Sequence, residues 1–134
     1  MSGSTSPVRR PPALVAVAVI EGLEALALLG IAVLSVIAGA SSPYPQTTYG
    51  VAGTFAIAAV LLAFVAVGTF RARTWSRTPG LVWQVVQALI GFAQLTGQGP
   101  NVPFALAAIV PGVVVIALLL TRSVREATAR STGA

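Results

Sequence analysis

The sequence predicts an all-α fold, a bundle of four transmembrane helices with both termini cytoplasmic, and three observations carry that expectation. The 134 residues are 56% hydrophobic, with a mean hydropathy of +0.90 and only 8% charged side chains. A soluble domain of this size could not cover so much apolar surface. The apolar residues gather into four runs close to the length needed to cross a bilayer. All eight basic residues are arginines, and they fall only in alternate connecting segments.

A short cytoplasmic tail, residues 1–12, precedes the first span, and its first eight residues are Ser, Gly, Thr and Pro dominated, a composition that stays disordered. The first span is expected over Ala13–Gly39. It exceeds the roughly 20 residues that cross about 30 Å of hydrocarbon, so it tilts or projects. Arg9 and Arg10 ahead of an apolar run that closes on Ala38-Gly39-Ala40 also fit a cleavable leader. The run is about twice the usual length of such a leader core and holds two glutamates, which favours a retained span. A second span is expected over Val51–Phe70, where Ala52, Ala56, Ala59, Ala63 and Ala66 form a small-residue stripe suited to close helix contact. A third is expected over Pro79–Leu95, with Thr78 as N-cap and Pro79 at the first helical position. The fourth is expected over Pro103–Thr121, capped by Asn101 and kinked near Ala107–Pro111, where proline removes a backbone donor. Residues 122–134 complete the membrane unit 13–121 as a cytoplasmic tail, disordered from Ala127 to Ala134.

Orientation follows from the arginines. Arg9 and Arg10 precede span one, Arg71, Arg73 and Arg77 join spans two and three, and Arg122, Arg125 and Arg130 follow span four. Ser41–Gly50 and Thr96–Val102 contain none, so the positive-inside rule places both termini and the central loop in the cytoplasm. Trp75 and Trp83 would mark the inner interface and Tyr44 and Tyr49 the outer one. The arginines fit topology determination and, as a further role, anionic lipid headgroups.

Intramembrane polar groups are few and therefore informative. Glu21 and Glu24 share a face of span one, and Gln84, Gln87, Gly91, Gln94 and Gln98 fall within an arc of about 80° at helical spacing on span three. Ionisable groups in hydrocarbon cost at least a few kcal/mol and usually face a bundle interior. Glu21 and Gln87 lie at similar depths from their helix starts, so a hydrogen bond between spans one and three is expected there. Two readings follow. The carboxyls form a proton or cation site in which two acids share a proton, or they and the amides are polar glue between helices.

Cys and His are both absent. That excludes disulfides, thiolate chemistry, c-type haem attachment and imidazole ligation, so no metal or cofactor is expected. No nucleophile elbow, phosphate-cradling loop or base-plus-nucleophile set is present, and no enzymatic activity is expected. The formal charge of +5 reflects a few arginines beside apolar runs, which fits membrane anchoring and not nucleic acid. The expected partners are the lipid bilayer and either further copies of the chain or another membrane protein. The expected role is a structural or accessory component of a membrane assembly, with a small proton- or cation-coupled transporter acting as an oligomer as the alternative.

Through Glu21-Gly22-Leu23-Glu24-Ala25-Leu26-Ala27, Arg77-Thr78-Pro79-Gly80-Leu81-Val82-Trp83-Gln84-Val85-Val86-Gln87 and Leu120-Thr121-Arg122-Ser123-Val124-Arg125, the chain resembles uncharacterised small four-span integral membrane proteins of actinobacteria. That resemblance implies a bacterial plasma membrane and no established activity. In its small four-span size and its glutamates in the first helix the chain is also similar to small multidrug resistance transporters. It differs from them in lacking their aromatic and glycine pattern, and its one-sided arginines oppose the dual insertion of their antiparallel dimers.

Overall fold

A computed structural model describes residues 9–130. The expected disorder of 1–8 and of 131–134 lies outside these residues. Among the described residues the chain is all-helical: α1 (Pro12–Gly39), α2 (Pro45–Phe70), a 3₁₀ turn (Thr74–Ser76), α3 (Arg77–Thr96), α4 (Val102–Leu119) and α5 (Arg122–Arg130). Helices α1, α2 and α4 are long and apolar enough to cross a membrane. Helix α3 spans 20 residues but carries Arg77 and three glutamines, which lower its hydropathy.

Two hairpins make up the bundle. The most extensive packing is α1 along α2 and α3 along α4, with lighter contact between the pairs. In the first hairpin α1 buries Ala18, Ala25 and Ala32 while α2 buries Ala52, Ala59 and Ala66. Both sets recur every seven residues, the period of a left-handed helix pair, and small side chains let two backbones approach closely. The expected stripe on α2 is thus half right: Ala56 is only half-buried and Ala63 is exposed. Glycine plays the same part in the second hairpin, where Gly91 meets Ala105 and Ala108 of α4, and Gly112 meets the backbone of Gln84. The hairpins join at the arginine-bearing end through a cluster of Leu14 and Val17 from α1, Val115 and Leu119 from α4, and Val124 from α5.

Several boundaries differ from the sequence expectation. Helix α2 starts at Pro45, six residues before Val51, because Pro45 supplies a preset first-turn φ where the polar run would have read as loop. Helix α3 begins at Arg77 with no side-chain cap, so Thr78 and Pro79 lie inside its first turn. Asn101 does cap α4, its Oδ1 accepting from the Phe104 N–H at 3.1 Å, and α4 continues as helix through Pro111. The C-terminal segment was expected as a tail disordered from Ala127, yet Arg122–Arg130 is helical. Val124 and Thr128, one turn apart, are buried against the bundle, and the Thr74 hydroxyl donates to the Thr128 carbonyl at 2.9 Å.

The α2 end explains how α3 enters the bundle. The Arg73 N–H donates to Gly68 O and the Ala72 N–H to Thr69 O, both at 2.9 Å, the paired bonds of a Schellman ending. Ala72 occupies the left-handed position at φ 55°, where a Cβ is strained. Ala72→Gly is expected to stabilise the fold by up to about 1 kcal/mol by relieving that strain; a lower melting temperature in detergent would contradict it. The turn then folds back on α2, setting the Trp75 ring on Gly68 and stacking it on Phe64 with centroids 5.0 Å apart.

Candidate functional site

Glu24 holds the two hairpins together. Its Oε2 accepts from Gln84 Nε2 at 2.8 Å and its Oε1 from Gln87 Nε2 at 2.9 Å. Gln87 Nε2 also donates to the Ala108 carbonyl at 3.1 Å, so one amide ties α1, α3 and α4 at a single level. Helical spacing makes this possible: residues three apart on α3 lie on one face and can each take one oxygen of the same carboxyl.

Glu21 behaves differently. It is fully buried, and neither carboxyl oxygen has a hydrogen-bond partner among the described residues. Its Oε1 faces the bare backbone of Gly80, 2.7 Å from where a Cβ would stand. The Thr69 hydroxyl lies beside the carboxyl as its neighbouring side-chain donor but outside hydrogen-bonding geometry, and Gln84 Oε1 is likewise buried without a partner among the described residues. Helices α1 and α2 thus bring the Glu21 carboxyl and the Thr69 hydroxyl together in a buried setting, while Gln84 Oε1 faces Gly112 of α4. Buried polar oxygens of this kind cost free energy unless a proton, a cation or water completes them.

The expected Glu21–Gln87 pairing is replaced by Glu24 with Gln84 and Gln87. The reason is the fold-back after α2: Ser76 packs on Gly68, so α3 starts already inside the bundle and its side chains meet α1 farther along. Gln94 and Gln98 do not join the site. Both are exposed, because the inward face of α3 ends at Gly91 and the chain beyond leads to the polar turn before α4. The arginines Arg9, Arg10, Arg71, Arg73, Arg77, Arg122 and Arg125 all stand at the opposite end of α1 from Gly39, with Arg77 half-buried and the others exposed.

Above the Glu24 clamp the hairpins diverge and leave a crevice of about 300 Å³ with Glu24 and Gln87 at its floor and Leu28, Phe55, Trp83 and Phe104 in its walls. Trp83, expected at the inner interface, lines this crevice, with its Nε1–H buried and without a partner among the described residues. Sequence reasoning also passed over Thr69 and Gly80. Only the spacing of Gly80 one turn before Gln84 could have marked that face as one of close approach.

Fold and site together define a class: an α-helical membrane protein whose polar groups are gathered between two hairpins. No family model, curated protein or solved structure matches the chain.

Proposed function

We propose that the chain crosses the bacterial plasma membrane four times, with both termini cytoplasmic, and serves as a non-enzymatic structural or accessory subunit of a larger membrane assembly. A crossing by α3 is supported by its length of about 30 Å and by its outward side chains: Val82, Val85, Leu89 and Phe92 are exposed, while Gln84 is fully buried. The orientation rests on the arginines gathered at one end.

The assembly role rests on the crevice. Two hairpins are bolted at the arginine-bearing end and clamped at Glu24, and beyond the clamp they fail to fill one another. A preformed apolar gap floored by hydrogen-bonding groups suits side chains of another transmembrane segment, since helix association in lipid is driven by packing and interhelical hydrogen bonds. One observation favours a second reading, a small proton- or cation-linked carrier acting as an oligomer. Glu21 is a buried acid that the clamp does not use, and intramembrane acids of that kind commonly mark ion paths.

Purification from native membranes separates the two. A stoichiometric second protein lost when Leu28 or Phe104 is changed to tryptophan supports the accessory role, whereas a pure homo-oligomer with proton-linked flux after reconstitution supports the carrier. Single cysteines report topology in the same cells. One at Thr47 is expected to react with an impermeant thiol reagent and one at Ser123 to resist it; the reverse pattern would invert the orientation.

A further inference from the structure

A second cavity, of about 270 Å³, lies at the arginine-bearing end, away from the crevice. Arg9 and Arg10 enter it from the start of the described chain and Arg130 from its far end, so residues some 120 positions apart in sequence meet at one hollow. Helix α5 makes the convergence possible. Val124 and Thr128 fix it to the bundle, which turns Ser123, Glu126, Ala127 and Arg130 toward the cavity, the i, i+3, i+4, i+7 face of a helix.

Charge argues for an anion here. Glu126 is the only acid in the lining, and it is already engaged by Arg122 Nε at 2.7 Å, with Arg130 at 3.6 Å. Arg10 is held over the Phe70 ring at 4.5 Å, an aromatic contact that orients it without neutralising it. Three guanidiniums around one hollow repel one another, and each offers the forked donors that match phosphate oxygens. Pro11, Leu14 and Ala127 supply an apolar side. The cavity is level with the ends of α1, α2 and α4, the depth at which lipid phosphates lie.

We propose that this cavity binds the phosphate of an anionic membrane lipid, with Arg9, Arg10 and Arg130 as its donors. The inference needs only the membrane class of the chain and stands whether or not the crevice receives a partner. Its test uses the full chain in dodecyl maltoside, with dioleoylphosphatidylglycerol or dioleoylphosphatidylcholine as probe and bound lipid counted by native mass spectrometry. One phosphatidylglycerol is expected to be retained in preference to phosphatidylcholine, and Arg9→Gln with Arg130→Gln to weaken it about tenfold or more. Arg71→Gln with Arg125→Gln, the same loss of charge outside the cavity, is expected to leave it unchanged. Ala127→Phe, which fills the hollow and keeps every arginine, is expected to weaken binding as well, which guards against misfolding of the charge variant. Equal loss in both arginine pairs would reduce the site to a diffuse basic surface. Equal affinity for the two lipids, or displacement by millimolar inorganic phosphate, would also overturn the lipid assignment, the latter in favour of a soluble phosphate.

Discussion

Replacing Gly91 by leucine is expected to drive α3 and α4 apart. A Cβ at this position would stand 2.7 Å from Ile109 Cγ1, 2.9 Å from the Ala105 carbonyl oxygen and 3.1 Å from Ala108 Cβ. The isoleucine can change rotamer, but the Ala105 oxygen belongs to helix backbone and moves only if α4 moves. Overpacking of this kind costs about 1–3 kcal/mol even for modest insertions, and leucine adds three carbons beyond the first. The displacement would also pull the Ala108 carbonyl away from Gln87 and so loosen the clamp. Gly53→Leu is the matched control, since nothing lies within 4 Å of its Cβ position. Thermal denaturation in detergent should show a large drop for Gly91→Leu and little change for Gly53→Leu. Equal melting of the two would show that α3 and α4 are not in close contact at Gly91.

The two glutamates should respond in opposite directions. Glu24→Leu removes the acceptor for both amides, leaving Gln84 Nε2 with no partner and Gln87 with Ala108 alone. Intramembrane hydrogen bonds average about 0.6 kcal/mol each and reach about 1.7, so a loss of roughly 1–3 kcal/mol is expected once the stranded amide is included. Glu24→Gln should keep most of this stability. Its oxygen can accept from Gln87, and its amide can donate to Gln84 Oε1, which is otherwise without a partner. Glu21→Leu is expected to leave the melting temperature unchanged or raise it, because the native carboxyl is buried without hydrogen bonds and leucine has a similar volume. A group that lowers stability where it sits is the pattern of a functional residue. If Glu21→Leu destabilised the protein as much as Glu24→Leu, Glu21 would belong to the polar glue and the carrier reading would lose its support.

How much of this was legible in the sequence can be traced to particular residues. The all-helical class and the positions of the four long helices follow from apolar run length, and the Asn101 cap follows from its short side-chain acceptor two residues ahead of Pro103. The inward turn of Gln84 and Gln87 follows from their three-residue spacing. Their partner does not, because the pairing depends on the Schellman ending at Ala72 and the fold-back that seats Trp75 on Gly68. An alanine in the left-handed position gives no local signal of such a turn. Helix α5 was missed for a related reason: a nine-residue segment rich in polar side chains reads as tail until Val124 and Thr128 find a surface to bury against. The same spacing argument overreached at Gln94 and Gln98, since periodicity continues along a helix after its neighbours have ended.

The unequal lengths of the two hairpins have a mechanical consequence. Helices α1 and α2 contain 28 and 26 residues, α3 and α4 contain 20 and 18. At 1.5 Å per residue the first hairpin averages about 40 Å and the second about 28 Å. Both are level at the arginine-bearing end, where Leu14 and Val17 meet Val115 and Leu119, so the difference of about 12 Å accumulates at the Gly39–Pro45 tip. The extra length is apolar only along α1, since α2 opens on the polar stretch 45–50. Val33, Leu34, Val36 and Ile37 stay exposed on the taller side, and each ångström of mismatch there costs a fraction of a kcal/mol. A bilayer thinner than the α1 run is expected to make the tall hairpin lean. Because the two hairpins are tied at Glu24, a lean of one against the other is expected to change the width of the crevice beyond the clamp.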